Sequence, residues 1–160
     1  MKVNKNKGFT LIELLVVIVI FALIANITII ALNKAKRESR DAKRMSNINQ
    51  LRSALHLHQT DKSAFPDGDG ISLGIEGNLV LDNTGWSDGS SPTSPIFMYS
   101  VPRDPRMVNK PSDPCTGASS DPCDYGYTLN ANDYIIYFYL EGPVNNFDSG
   151  IHAATKDEIL

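Results

Sequence analysis

At 160 residues the chain is long enough for one modest domain, and two cysteines exclude a disulfide-dense miniprotein. Its 15 Lys and Arg and 18 Asp and Glu residues give a formal charge of -3, which excludes the overall basic surface typical of nucleic-acid-binding domains. Residues 1–44 hold nine basic and three acidic residues, whereas residues 45–160 hold six basic and fifteen acidic ones.

An apolar block occupies residues 9–32. Its only residues that are not apolar are Thr10, Glu13, Asn26 and Thr28. As a helix the block would be roughly 36 Å long, enough to cross a hydrocarbon core of about 30 Å. A cleavable secretory signal has a shorter apolar region, of about 7–15 residues, followed by a small-x-small site that is missing here. The block therefore predicts a retained membrane helix.

Basic residues flank this block on both sides. Three lysines precede it, and six Lys and Arg residues lie within residues 33–44. If only these Lys and Arg residues are counted, their larger number on the C-terminal side favours a cytoplasmic position for that side.

Glu13 lies inside the apolar block, where a carboxylate at mid-depth costs about 3 kcal/mol or more and usually has a partner. Thr10 and Glu13 match the S/T-x-x-E capping box, in which the two side chains satisfy the first amide groups of a helix. Capping does not account for the preceding junction, which joins a short basic leader to Gly8 and Phe9. A capping role and a further role for Glu13 are both open at this point.

The string GFTLIEL, residues 8–14, resembles the processing site of type IV prepilins and of the pseudopilins of type II secretion. The resemblance extends over roughly residues 1–62, and the string VPRDP at residues 101–105 is similar to the major-pseudopilin branch. It implies that a prepilin peptidase cuts after Gly8 and N-methylates Phe9. It also implies a single-pass protein of the bacterial inner membrane with a cytoplasmic leader and an extracytoplasmic head, against the count of flanking charges.

The resemblance gives Glu13 an assembly role. The α-amine released at Phe9 would be mostly cationic at neutral pH, and methylation keeps it basic. A subunit entering from the membrane would place this amine beside Glu13 of a subunit already in a filament, and both charges would lose their desolvation penalty. Many relatives have Gly and Pro where this chain has Ala22 and Ile30, which leaves open whether the helix unwinds in a filament.

Beyond the apolar block the pattern becomes amphipathic. Apolar side chains recur at three- and four-residue steps, at Met45, Ile48, Leu51 and Leu55. No Pro or Gly occurs between Phe9 and Ala64, so one helix of about 53 residues is predicted, ending near Lys62. The basic cluster of residues 34–44 is interpreted as solvated surface or lipid head-group contact, with acidic parts of neighbouring subunits as an alternative partner.

Residues 63–160 are rich in turn formers and predict a β-rich head. Alternating residues predict strands at 125–130 and 134–141, joined by a hairpin turn, with further strands at 96–99 and 79–81 and Trp86 in a loop. The predicted fold class is α+β, with a long N-terminal helix packed against a small antiparallel sheet. The predicted segments are a leader (1–8), the transmembrane and polymerisation half of the helix (9–32), its amphipathic half (33–62) and the head (63–160).

Cys115 and Cys123 each end a Ser-Asp-Pro-Cys sequence. Zinc would need four ligands, and a catalytic thiol would need a nearby histidine that this segment lacks. Because an exported head meets oxidising conditions, a disulfide is predicted, worth about 2.5 kcal/mol. Calcium is the weaker prediction, since the acidic C-terminal loop of major pseudopilins is not intact here; its candidate ligands are Asp113, Asp121 and Asp124. No other cofactor is expected.

The chain carries no catalytic constellation and no nucleotide-binding fingerprint, so no enzyme is predicted. The predicted function is that of a structural subunit of a type IV pilus-like or type II secretion pseudopilus filament, which is extracellular or periplasmic after assembly. Its predicted partners are the prepilin peptidase, identical or related pilin subunits, the inner-membrane assembly platform and membrane lipid, without nucleic acid. The alternative is a single-pass membrane-anchored binding protein that does not polymerise, and pilus versus pseudopilus stays open.

Overall fold

The computed structural model describes residues 8–160, which divide after Lys36 into two compact units. One helix, α1, spans Leu11–Lys62. The strands are β1 (Ile71–Ser72), β2 (Val80–Asp82), β3 (Gly85–Ser87), β4 (Gly126–Asn130), β5 (Asp133–Leu140) and β6 (Gly150–Ala154). The predicted leader, apart from Gly8, lies outside the described residues.

The predicted single long helix is confirmed: α1 is continuous over 52 residues, none of which is Pro or Gly. It ends at Lys62, where Ser63 takes a positive φ of 58° and the Ser63 amide donates to the carbonyl of Gln59 at 2.7 Å. Pro66 follows, and proline disfavours the helical conformation in the residue before it.

The head contains a four-stranded antiparallel sheet in the order β1-β4-β5-β6, and β2 and β3 form a separate two-stranded sheet. The central hairpin pairs Gly126 with Tyr137 and closes at Asn130 opposite Asp133. Ala131 occupies the turn with a φ of 51°. The predicted hairpin and the α+β fold class are both confirmed.

The core of the second unit lies between the sheet and the part of α1 that belongs to this unit. Alternate residues of β5 are buried: Tyr134, Ile136, Phe138 and Leu140. They share one cluster with the predicted helix stripe of Ile48, Leu51 and Leu55, against which Met45 packs. Two of the buried tyrosines have hydrogen-bonded hydroxyls, since Asn47 donates to Tyr125 at 3.0 Å and Tyr127 donates to the carbonyl of Pro66 at 2.7 Å.

Three parts of the head differ from the sequence prediction. Residues 96–99 do not form a strand; Phe97 and Met98 both donate to the single carbonyl of Leu81, and Pro95 precedes them. Trp86 lies in β3 rather than in a loop, and its ring packs edge-on against Tyr127 at 5.1 Å. Strands β1 and β6 were not predicted at all, because neither has a clear alternation of apolar and polar residues.

Candidate functional site

The predicted processing junction lies at the start of α1. Gly8 and Phe9 are exposed and precede the first helical residue, and the Phe9 side chain is 81% exposed. Among residues 8–160, no heavy atom beyond those of Gly8 and Phe9 lies within 4 Å of the position that a Gly8 Cβ would occupy. The peptide bond between these two residues is therefore sterically accessible.

Thr10 and Glu13 form the capping box at the first turn of α1. The Glu13 carboxylate oxygen Oε2 accepts hydrogen bonds from the Thr10 amide at 2.8 Å and the Thr10 hydroxyl at 2.7 Å. In return, the Glu13 amide donates to the Thr10 hydroxyl at 3.3 Å. Because both Thr10 donors bind Oε2, the second oxygen, Oε1, has no hydrogen-bond partner among residues 8–160. Glu13 can cap its own helix and still accept a hydrogen bond from another molecule.

The first part of α1, up to Leu32, is apolar on all sides. Its most apolar 18-residue window has a mean hydropathy of 3.1, and none of that window is buried within the chain. Length and composition are sufficient for a membrane span. The two polar side chains farther along it bond within the helix, as Asn26 donates to the carbonyl of Ala22 at 2.9 Å and Thr28 to that of Ile24 at 2.8 Å. These bonds reduce the cost of placing the two polar side chains in an apolar segment.

Residues 3–25 match the family model described as the prokaryotic N-terminal methylation motif. The chain is 33% identical to the type II secretion system core protein G of Aeromonas hydrophila over 105 residues, which cover 66% of this chain and 71% of that protein. The chain belongs to the pilin and pseudopilin family. Pseudopilins are structural proteins, and the chain is not an enzyme.

Two further relatives carry the same description. The core protein G of Dickeya chrysanthemi is 31% identical over 111 residues, which cover 69% of this chain and 64% of that protein. The core protein G of Vibrio cholerae is 34% identical over 68 residues, which cover 42% of this chain and 47% of that protein. The chain thus spans less than two thirds of the length of these two relatives. No solved structure is significantly similar to it. The apolar helical segment of this chain indicates membrane anchoring.

A buried ion cluster joins α1 to the loops of the head within the second unit. Its centre is Arg44, which has no exposed side-chain surface. Arg44 binds both oxygens of Asp104, at 2.6 and 3.0 Å, and one oxygen each of Asp41 at 2.6 Å and Glu141 at 2.8 Å. Asp104 belongs to the VPRDP string, so in this chain that string supplies an acceptor for the helix.

Two partly exposed arginines complete the cluster around Glu141. Arg40 binds both Glu141 oxygens, at 2.7 and 2.6 Å, and Arg106 approaches at 3.2 Å. The hydrogen bonds from Arg40 lower the pKa of Glu141, and the hydrogen bond and positive charge of Arg44 lower it further. Burial acts in the opposite direction, and the pKa falls from 4.5 to about 2. Burial alone would lower the pKa of Arg44, but its bonds to the carboxylates outweigh burial and raise it. Glu141 and Arg44 are therefore both charged at neutral pH.

This cluster changes the interpretation of the basic segment at residues 34–44. Neither solvated surface nor contact with lipid or neighbouring subunits describes Arg40 and Arg44, because both bind carboxylates of their own head. A sequence signal was present: Asp41 and Arg44 continue the buried stripe of α1 at the same three- and four-residue steps as Ile48 and Leu51. Charged residues on an apolar stripe indicate buried partners, although the spacing does not identify them.

Cys115 and Cys123 are joined by a disulfide, with their Cα atoms 5.0 Å apart and both residues buried. The aspartates around this loop do not form a common donor set. Asp113 and Asp121 are exposed, whereas both oxygens of the buried Asp124 bind the guanidinium of Arg103, at 2.7 and 3.0 Å. Among residues 8–160, no group of three or more His, Cys, Asp or Glu side chains is placed to hold a metal. Calcium binding by Asp113, Asp121 and Asp124 stays a prediction.

Proposed function

We propose that the chain is a structural subunit of a type II secretion pseudopilus or a related pilus-like filament, cleaved after Gly8, N-methylated on Phe9 and assembled through α1. One observation carries the proposal. An exposed Gly8–Phe9 junction directly precedes a helical turn in which one oxygen of Glu13 has no partner among residues 8–160, at the start of an apolar helical segment that is not buried within the chain.

Cleavage after Gly8 gives Phe9 a cationic amine in or near the hydrocarbon region. A lone charge there is strongly disfavoured, and so is the carboxylate of Glu13. In an assembled filament the amine of one subunit would bind Glu13 Oε1 of another, so that each charge compensates the other. Oε2 can keep its bonds to Thr10 throughout, so the capping role and the assembly role are compatible.

The partners follow from this chemistry. A prepilin peptidase supplies the cleaved and methylated terminus, other pilin subunits supply the complementary charge, and lipid solvates the apolar helix before assembly. The relatives' description as core components of type II secretion supports an inner-membrane assembly platform as a further partner and an extracytoplasmic position for the head. The disulfide is consistent with that position, because disulfides persist in oxidising compartments.

Intact-mass measurement of the protein extracted from membranes tests the proposal. With an active prepilin peptidase, we expect a chain that begins at Phe9 and carries one added methyl group. Without the peptidase, the same cells should accumulate the full-length chain. A protein that keeps residues 1–8 in the presence of the active peptidase, and stays monomeric, would instead be a membrane-anchored binding protein.

A further inference from the structure

A cationic pocket opens between α1 and the head, within the second unit. The cavity has a volume of about 280 Å³. Its lining includes Asn49, Arg52, Ser53, His56, Lys156 and the ring of Tyr134. Three of these side chains carry or can carry positive charge, and the amide and hydroxyl groups are further hydrogen-bonding groups. Such a lining favours an anionic group.

The positive charges of this pocket have no carboxylate partner in the described part of the chain. Arg40, Arg44, Arg103 and Arg106 all pair with carboxylates of the head. Arg52 instead donates to two backbone carbonyls, those of Thr155 at 2.9 Å and Lys156 at 3.1 Å. Carbonyl groups orient the guanidinium without cancelling its charge.

Two acidic groups, Asp133 and Asp157, lie near Tyr134 of the pocket, and Asp133 is already engaged. Asp133 Oδ1 accepts from the backbone amides of Tyr134 at 2.7 Å and of Lys156 at 3.2 Å, which ties Asp133 to the hairpin rather than to a cation. Neither Arg52 nor the Lys156 ammonium lies within ion-pair distance of a carboxylate among residues 8–160.

An apolar trough of about 630 Å³ adjoins the pocket and shares Asn49 and Ser53 with it. Leu57, which is 56% exposed, and the half-buried Phe97 and Met98 line this trough. The pocket and the trough together form one surface with a cationic end and an apolar end. This combination suits a protein partner, because an apolar area that excludes water strengthens a neighbouring ion pair.

We propose that this surface binds a second copy of the chain, with a carboxylate of that copy in the pocket. Residues 37–160 contain ten basic and seventeen acidic residues, so another copy presents a predominantly acidic head to a cationic pocket. The exposed carboxylates available for this contact include Asp69, Glu76, Asp113 and Asp121. A contact between different surfaces of identical subunits can repeat indefinitely, as a filament requires. The inference rests on the proposed function and adds the partner for this face of α1.

The test uses the full-length chain in cells that contain the peptidase and the assembly machinery. Lys156→Glu reverses one charge of the pocket, and Lys110→Glu makes the same change at an exposed lysine that does not line it. We expect Lys156→Glu to reduce filament yield at least tenfold and Lys110→Glu to leave it within twofold of the unaltered chain. Equal thermal unfolding of the two variants shows that the head remains folded.

A photo-crosslinking residue at Leu57 identifies the occupant. We expect a crosslinked dimer whose second peptide comes from an acidic head segment, and we expect a lysine at the corresponding carboxylate to restore assembly of Lys156→Glu. Normal filament yield from Lys156→Glu, or crosslinks only to lipid or to another protein, would overturn the pocket assignment alone. Absence of filaments from the unaltered chain would overturn the proposed function, and this inference with it.

Discussion

Substitution of Glu13 by glutamine separates the capping role from the assembly role. Both Thr10 hydrogen bonds go to one Glu13 oxygen, at 2.8 and 2.7 Å, and the amide oxygen of glutamine can accept both. Glu13→Gln therefore keeps the cap and removes only the charge, whereas Glu13→Ala removes both. Loss of a cap costs about 1 kcal/mol. An ionised amine left unpaired in a buried site costs about 3–5 kcal/mol, or more than a hundredfold in an equilibrium constant.

We therefore expect Glu13→Gln and Glu13→Ala to reduce filament yield by a similar factor of about a hundred or more. Thr10→Val, which weakens the cap and keeps the charge, should assemble within about tenfold of the unaltered chain. The assay is the ratio of sheared filaments to membrane-bound subunit, with intact mass used to confirm equal cleavage at Phe9. Assembly of Glu13→Gln at the unaltered level, with failure of Glu13→Ala alone, would show that Glu13 acts only as a helix cap.

Three further predictions concern the head, measured on the full chain in detergent. Because the pKa of Glu141 falls from 4.5 to about 2 on folding, its contribution of about 3 kcal/mol is present above pH 4.5 and is lost as the pH falls toward 2. Glu141→Gln should reduce this decrease of the free energy of unfolding at acid pH. An unchanged decrease would refute the assignment of the low pKa to Glu141. Reduction of the Cys115–Cys123 disulfide should lower the unfolding free energy by about 2.5 kcal/mol in denaturant titrations, while two reactive thiols in the unreduced protein would contradict the bond. Gly126→Ala should lower the free energy of unfolding by more than about 3 kcal/mol, because the added Cβ would overlap the carbonyl of Cys115. Gly117→Ala is the control and should lower it little, because its Cβ would lie 3.5 Å from the Tyr137 ring.

The parts of the fold that depend on local pattern could be predicted from the sequence. An uninterrupted apolar run followed by an apolar stripe specifies α1, and the alternation on both sides of residues 130–133 specifies the central hairpin. The capping box was also readable, because Thr10 and Glu13 are only three residues apart.

Contacts between distant residues could not be predicted in the same way. Arg44 binds Asp104 and Glu141, 60 and 97 residues further along, and no spacing rule connects these positions. Similarly, Arg103 pairs with Asp124, 21 residues further along, and only the folded loop shows this contact. The short β1 and β6 depend on pairing with their neighbours in the sheet rather than on their own alternation.

The most direct test of the account is the distance between the Phe9 amine and the Glu13 carboxylate in filaments. Solid-state NMR would measure it in filaments assembled from a mixture of subunits, one labelled with ¹⁵N at Phe9 and the other with ¹³C at Glu13. We expect strong dephasing between the ¹⁵N of Phe9 in one subunit and the ¹³C of Glu13 in another, because an ion pair places the amine nitrogen within about 4 Å of a carboxylate oxygen. Filaments that form normally but show no dephasing between the two labelled subunits would contradict the pairing of amine and carboxylate.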